Sequence, residues 1–321
     1  MLSAKDITGM YAIIPTPALP GANRLDARDT VDLDESERLV NKLIRDGSDG
    51  LIILGTTGEC ATVTQSEYEA FVDCVIKTVN KRIPVFAGAT ALGAHDVYSR
   101  LKFVQQQGAD GSLLGMPMWQ PLTVPMAVEY YKQVSEAFPK LSIMVYANAR
   151  AFRFSFPVEF WGAVAKAAPT VVAAKSSRPN GLAEMIAATN RQINFVPIDQ
   201  GVVSFYEISP ETTTACWATA AAMGPSPSIA VMRAVRDRDN DRMKKVSADI
   251  AWANEPVKPM LENPELFASH NIQLEKHRID AAGYCKPGPV RAPYDYMPPE
   301  HEKAARECGR RWAEICKRYA N

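Results

Sequence analysis

Eight short apolar runs, separated by segments with helical periodicity, constrain the fold of this 321-residue chain more than any other feature. Within each run apolar residues follow one another directly, whereas a strand with one face in water alternates apolar and polar residues. Such runs are typical of parallel strands that are covered on both faces. They span residues 10–17, 50–55, 83–90, 111–118, 141–148, 170–177, 193–199 and 212–219.

The segments between the runs predict helices. Residues 64–67 read TQSE, a capping box, and open an apolar stripe at helical spacing over residues 68–79. The joints GSDG at 47–50 and GADG at 108–111 are near copies, which suggests a repeated strand–helix unit. Eight such units in roughly 230 residues predict an α/β fold, the (β/α)8 or TIM barrel. A doubly wound sheet is the alternative, but no G-x-G-x-x-G follows the first strand.

The order of these patterns predicts a core and an extension. We expect residues 1–225 to form the barrel core, with a closing helix to about residue 240. Residues 241–321 are expected to form a helical extension packed on the barrel. Within it, residues 285–299 are too rich in proline for regular structure, and residues 298–319 carry an apolar helical face.

Composition argues against several classes of protein. The 36 basic residues equal the 36 acidic residues, so no basic field favours a nucleic-acid partner. No apolar run approaches about 18 residues, so we expect no membrane partner, and the N-terminal residues lack the pattern of a signal peptide. Six cysteines without C-x-x-C predict a reduced, cytoplasmic protein. Four histidines without metal-ligand spacing disfavour a catalytic metal, although ligands from distant positions remain open, and no cofactor is expected.

The stretch Gly55-Thr56-Thr57-Gly58-Glu59 follows the second strand. It is not a phosphate loop, because its glycines are three residues apart and no lysine follows. Backbone N–H groups and two hydroxyls at short range suit a smaller anion, such as a carboxylate. The alternative is that Thr56 and Thr57 cap the helix or turn that follows.

Lys175 is the strongest single signal of chemistry. Four apolar residues lead directly into it at the end of the sixth strand, and a barrel places its chemistry at the carboxyl ends of strands. Burial there disfavours the ammonium form, so we expect a lowered pKa and a nucleophilic amine. The alternative is a lysine whose stem lies on apolar surface while the amine reaches water. Tyr146, which ends the fifth strand, is either a core tyrosine or a proton shuttle beside this lysine.

Two further residues at strand ends have competing interpretations. Trp119, after the fourth strand, either packs in the core or forms a wall for an aromatic ligand. Glu59 is expected to be structural, as a carboxylate near a helix N-terminus or as an ion-pair partner.

Taken together, GTTGE after strand two, Y-x-N at the end of strand five and lysine at the end of strand six resemble the N-acetylneuraminate lyase and dihydrodipicolinate synthase superfamily. The resemblance covers nearly the whole chain. It implies a (β/α)8 barrel with C-terminal helices, a homotetramer, and a Schiff base between lysine and pyruvate or another 2-keto acid. The stretches GMPMW, YANARAFRFSFPVEFW and HNIQLEKHRIDAAGY further resemble the hydratase-aldolases of polycyclic aromatic hydrocarbon degradation, which are lyases.

The resemblance assigns roles to individual residues. Lys175 would form the Schiff base and Tyr146 would act as acid and base. Thr56 and Thr57, framed by Gly58, would hold the pyruvoyl carboxylate. The remaining substrate-binding residues would be Trp119, Asn148 and Asn271.

Two departures from the synthase pattern put lysine biosynthesis in doubt. Synthases have P-Y-Y after strand four, where this chain has Pro117-Met118-Trp119, and here Asn148 is shifted by one position. Both changes suit a larger and more apolar substrate. Another lyase of the superfamily, a non-catalytic keto-acid-binding barrel and a metal-dependent aldolase are the alternatives. Arg150, Arg153 and Arg178 are candidates to pair with a carboxylate on the substrate's ring.

Overall fold

The computed structural model describes residues 1–320, and its strands and helices alternate as the sequence predicts. The eight strands are β1 (Gly9–Ile13), β2 (Gly50–Ile53), β3 (Val85–Ala87), β4 (Gly111–Leu114), β5 (Ser142–Tyr146), β6 (Val171–Lys175), β7 (Asn194–Val196) and β8 (Ala215–Ala218). They form one sheet in the order β7-β6-β5-β4-β3-β2-β1-β8. The predicted fold class, a (β/α)8 barrel with additional C-terminal helices, is confirmed.

Helices connect successive strands. These are α1 (Leu33–Arg45), α2 (Gln65–Val79), α3 (Ala94–Gln107), α4 (Val124–Ala137), α5 (Ala149–Phe152), α6 (Val158–Ala167), α7 (Leu182–Ala188) and α8 (Val202–Ile208). After β8 come α9 (Ser226–Asp237), α10 (Asn240–Asn254), α11 (Lys258–Glu262), α12 (Pro264–Ala282) and α13 (Pro299–Tyr319). None of the helices between residues 1 and 320 is long and apolar enough to cross a membrane.

The strands are shorter than the apolar runs that predict them. β2 ends at Ile53 because Leu54 adopts a left-handed backbone conformation with φ 58°, and the chain turns there. β5 ends at Tyr146, and Asn148, which we expected to close that strand, instead caps α5. Apolar runs therefore continue into the buried turns that follow the strands, which strand periodicity alone does not reveal.

The chain divides into two compact units. The first comprises residues 1–9 and 84–217. Its core contains a chain of aromatic rings in edge-to-face and stacked contact, contributed by Phe154, Phe156, Phe160, Trp161 and Phe195. The stretch around α6 that marks the hydratase-aldolase resemblance thus supplies most of this aromatic core.

The second unit comprises residues 10–83 and the chain from residue 218 onward. The predicted capping box at Thr64 is present at the start of α2. In α13 the predicted apolar face is buried at Ala305, Cys308, Trp312 and Ile315. Between Ala282 and Pro299 the chain forms neither helix nor strand, which confirms the expectation for the proline-rich segment.

Candidate active site

Lys175 is the last residue of β6, and the strand carries it into the protein interior. All five residues of β6 are buried, and Lys175 is 8% exposed. Its Nζ lies 4.8 Å from the ring centroid of Tyr146. Most of the Lys175 side chain is therefore inaccessible to solvent, and its nitrogen lies beside an aromatic ring.

Tyr146 is paired with Lys175 in the register of β5 and β6. Because both residues end their strands, this pairing places their side chains at the same edge of the sheet. The Tyr146 hydroxyl accepts a hydrogen bond from Asn148 Nδ2 at 3.3 Å, and its ring meets Phe152 edge to face with centroids 5.5 Å apart. The structure thus brings together Lys175, Tyr146 and Asn148.

The orientation of the Asn148 amide follows from its position as the cap of α5. Its Oδ1 accepts the backbone N–H of Ala151 at 3.2 Å, which leaves the NH₂ group facing the Tyr146 hydroxyl. The amide is therefore a donor toward Tyr146, which favours an acceptor state of that hydroxyl.

Trp119 is 78% exposed, so it does not pack in the core. The loop that carries it is held by Arg153, whose Nη2 donates to the carbonyl oxygens of Met118 at 2.9 Å and of Trp119. Arg153, one of three candidates to pair with a ring carboxylate, thus binds the β4–α4 loop.

Arg150 lies near Tyr146, and Arg178 lies near Arg150. Burial lowers the pKa of Arg150, Tyr146 opposes that effect, and the nearby Arg178 lowers the pKa further. Arg150 therefore supplies positive charge close to the tyrosine.

In the second unit, the loop Thr56–Glu59 is a tight turn that only a glycine at position 58 allows. A Cβ on Gly58 would lie 2.7 Å from the backbone nitrogen of Leu54. The Glu59 N–H donates to Thr56 O at 2.9 Å, and the Thr16 hydroxyl donates to Gly58 O at 2.7 Å. The cap of α2 is Thr64 rather than Thr56 or Thr57.

Glu59 is 1% exposed and forms ion pairs, which was one of the two structural roles expected for it. Its Oε2 lies 2.6 Å from Lys276 Nζ and 2.6 Å from Arg291 Nη1, while Oε1 accepts the Arg291 backbone N–H at 2.8 Å. Lys276 Nζ also donates to Pro289 O at 2.7 Å. The carboxylate thus ties the loop to α12 and to the proline-rich segment.

Arg291 extends this network to the start of α2. Its Nε donates to Thr30 Oγ1 at 2.8 Å, and that hydroxyl donates to Glu67 Oε1 at 2.6 Å. Arg291 Nη1 also donates to Thr16 O at 2.9 Å. The segment between α12 and α13 is therefore a structural support of the Thr56–Glu59 loop.

A family model settles the assignment. Residues 21–195 match the dihydrodipicolinate synthetase family, which is more than half of the chain. The chain belongs to this family.

Within the family, the relatives that match over the full length of the chain include hydratase-aldolases. The chain is 37% identical over 324 residues to trans-O-hydroxybenzylidenepyruvate hydratase-aldolase of Pseudomonas aeruginosa, covering 100% of this chain and 96% of the relative. It is 38% identical over 322 residues to trans-2'-carboxybenzalpyruvate hydratase-aldolase of Nocardioides sp. strain KP7, covering 99% and 96%. A solved structure described as PhdJ bound to substrate intermediate superposes with a TM-score of 0.95 at 35% identity, over 99% of both chains. The predicted superfamily, the lyase class and the resemblance to hydratase-aldolases are confirmed.

Sequence patterns did not identify Trp217 as a neighbour of Lys175. Trp217, in β8, is 5% exposed, and the centroid of its ring lies 3.3 Å from Lys175 Nζ. Its Nε1–H donates to the carbonyl oxygens of Ser176 and Val196, each at 3.1 Å. Its position in the eighth strand was the available signal, but sequence does not show where the face of the ring points.

Asn271 lies where α12 is kinked. His270 has φ −128° and ψ 16°, outside the helical region, so Asn271 begins the second straight part of the helix. Asn271 is half-buried in the second unit. Between residues 1 and 320, no group of three His, Cys, Asp or Glu side chains is arranged to hold a metal ion.

Proposed function

We propose that this chain is a Schiff-base-forming hydratase-aldolase, which cleaves a substituted benzylidenepyruvate into an aromatic aldehyde and pyruvate. The observation that carries the proposal is the pairing of Tyr146 with Lys175 at the ends of β5 and β6, where both side chains are nearly inaccessible to solvent. The two hydratase-aldolases that match over the full length support the substrate class.

The first step is condensation of Lys175 with the substrate Ar–CH=CH–CO–COO⁻. The neutral amine attacks the ketone carbon C2 to give a carbinolamine, whose hydroxyl takes up one proton and leaves as water to form an iminium ion. Burial favours the neutral amine, because it removes water from the ammonium form. The iminium is conjugated with the C3–C4 double bond, so C4 becomes electrophilic.

Hydration and cleavage then use the same iminium. Water adds to C4 with loss of a proton, and protonation of the resulting enamine at C3 restores the iminium. Tyr146, oriented by Asn148, removes the proton of the C4 hydroxyl, the C3–C4 bond breaks, and the aldehyde leaves. The bonding electrons remain as an enamine, whose protonation and hydrolysis release pyruvate and Lys175. The sum is one substrate and one water to one aldehyde and one pyruvate.

The remaining roles are proposed from the family resemblance. Thr56 and Thr57 hold the carboxylate on a loop whose geometry requires Gly58. Trp119 contacts the aryl ring. Asn148 and Asn271 contact the substrate.

We also propose a metal-independent homotetramer in the cytoplasm. All six cysteines are free thiols, which suits a reducing compartment. Light scattering on the purified protein measures the oligomeric state. Activity that survives prolonged chelation supports the metal-independent mechanism over a metal-dependent aldolase.

The decisive experiment traps the Schiff base. Borohydride added with pyruvate is expected to leave a reduced pyruvate adduct on Lys175, located by peptide mass spectrometry. Lys276, also buried, is the internal control and should carry none. Aldehyde release from hydroxy- and carboxy-substituted benzylidenepyruvates, compared with cleavage of sugar acids, then identifies the substrate. Absence of an adduct would favour a non-catalytic binding protein.

A further inference from the structure

The face of Trp217 lies against the reactive nitrogen of the proposed Schiff base. The distance of 3.3 Å from Lys175 Nζ to the ring centroid is van der Waals contact, whereas Tyr146 presents its ring from 4.8 Å. A cation over the face of an indole is attracted by the ring quadrupole, and indole is the most favourable of the aromatic side chains for this.

The ring is held rigidly in that orientation. Both carbonyl oxygens that accept the indole N–H lie at strand ends: Ser176 directly follows β6, and Val196 is the last residue of β7. The Trp217 backbone N–H donates to Pro197 O at 2.9 Å. Because the edge of the indole is bound to the neighbouring backbone, the face remains directed at Lys175.

We propose that Trp217 stabilises the cationic forms of the Lys175 nitrogen, above all the iminium formed with the 2-keto acid. This inference rests on the proposed Schiff-base function. The iminium carries a positive charge on Nζ, while the free amine and the enamine do not. The ring face therefore shifts the equilibrium between amine plus keto acid and iminium plus water toward the iminium. Forming the iminium from the neutral amine and the ketone takes up one proton and releases one water, and hydrolysis of the iminium later returns that proton.

The contact also resolves a conflict within the mechanism. Burial is needed to make the amine neutral and nucleophilic, but the same burial penalises the cationic intermediate. A ring face stabilises positive charge without supplying a carboxylate. A carboxylate would bind the ammonium strongly and keep the amine protonated. Trp217 thus stabilises the intermediate with a smaller effect on the free amine than an ion pair would have.

The test is the pyruvate concentration that gives half-maximal borohydride trapping on Lys175, measured for the parent, Trp217→Phe and Trp217→Leu. Both variants lose the indole N–H, but only Phe keeps a ring face. We expect that concentration to rise about threefold in Trp217→Phe and at least about tenfold in Trp217→Leu. Thermal unfolding verifies that each variant is folded. Folded variants with equal trapping curves would overturn the proposal.

A second measurement leaves the shape of the site unchanged. Replacing the five tryptophans by fluorinated tryptophans weakens the ring quadrupole without removing a ring. The half-maximal pyruvate concentration should rise with each added fluorine in the parent and stay constant in Trp217→Phe, which is the matched control. A parent that is insensitive to fluorination would overturn the role of Trp217. A parent that forms no adduct at all would instead overturn the proposed function, and this inference with it.

Discussion

Two lysines are buried in the described part of the chain, and their surroundings differ in kind. Lys175 is 8% exposed and lies against the faces of Trp217 and Tyr146. Lys276 is 2% exposed and is bound directly to the carboxylate of Glu59. Burial is common to both, so burial alone does not make a lysine reactive.

The carboxylate determines what Lys276 can do. Burial lowers the pKa of Lys276 to about 8, Glu59 opposes that effect, and Arg291 lowers the pKa further. To attack a carbonyl, Lys276 would have to break its ion pair with Glu59 and its hydrogen bond to Pro289 O. The buried carboxylate of Glu59 would then lose one of its two cationic partners, which is unfavourable. Lys276 is therefore a structural cation, while the ring contacts of Lys175 are compatible with bond formation at its nitrogen.

The largest expected effect is on catalysis by Lys175. Lys175→Met should lower kcat/KM for aldehyde release by at least about ten-thousandfold, because it removes the nucleophile and keeps the apolar stem. Its unfolding free energy should change little, since an apolar side chain replaces a buried amine. Lys276→Met, the matched variant, should still form the pyruvate adduct on Lys175. A pyruvate adduct that forms in Lys175→Met but not in Lys276→Met would show that Lys276, and not Lys175, is the reactive lysine.

The variant Tyr146→Phe tests whether the Tyr146 hydroxyl acts as the base beside Lys175. The variant keeps the ring near Lys175 and loses the hydroxyl, so kcat should fall by about a thousandfold. Borohydride trapping with pyruvate should persist, because that reaction does not need cleavage of the C3–C4 bond. Phe152→Leu, which changes a neighbour of Tyr146 that carries no proton, is the control. A Tyr146→Phe enzyme with normal kcat would exclude the hydroxyl as the base.

The variant Glu59→Gln tests how much the buried ion pairs of Glu59 stabilise the fold. The substitution leaves Lys276 and Arg291 buried beside a neutral amide, so the unfolding free energy should fall by about 3 kcal/mol. Urea denaturation measures this quantity. In the double variant Glu59→Gln/Lys276→Met part of the loss should be recovered, because one unpaired cation is removed. Additive effects of the two single substitutions would show that the pair is not coupled.

The smallest expected effect concerns Glu67, at the far side of the Arg291 network. Burial raises the pKa of this carboxyl, but hydrogen bonds from Thr30 and Thr64 outweigh it and lower the pKa to about 2. The folded chain thus binds this proton more weakly than the unfolded chain. The stabilisation is complete above about pH 4.5 and is lost as the pH falls toward 2.

Glu67→Gln should therefore lower the unfolding free energy at pH 7 by about 1–2 kcal/mol. The difference from the parent should shrink below pH 4.5, as urea denaturation at a series of pH values would show. Glu69→Gln, on the same helix, is the control. A difference that does not change with pH would mean that the charge of Glu67 contributes nothing.

Much of the fold and of the proposed chemistry could be predicted from local patterns. The apolar runs located all eight strands, and the polar side chains near the ends of two runs identified Lys175 and Tyr146, because a polar residue that interrupts an apolar run marks the end of a buried strand. The boundaries were less accurate, since buried turns such as the one at Leu54 are apolar as well.

The partners of these residues could not be predicted in the same way. Glu59 and Arg291 are separated by 232 positions, and no periodicity connects them. Trp217 lies 41 positions from Ser176, which accepts its indole N–H, and its role depends on which way its ring faces. Exposure was likewise undecided by sequence, as Trp119 shows.

The sequence by itself thus determined the fold class, the family and the identity of the buried amine, because strand ends and short motifs are local properties of the chain. Tertiary structure alone decided what surrounds each buried lysine. Lys175 lies on ring faces and Lys276 on a carboxylate because packing brings residues from distant segments into contact, and sequence periodicity does not encode those contacts.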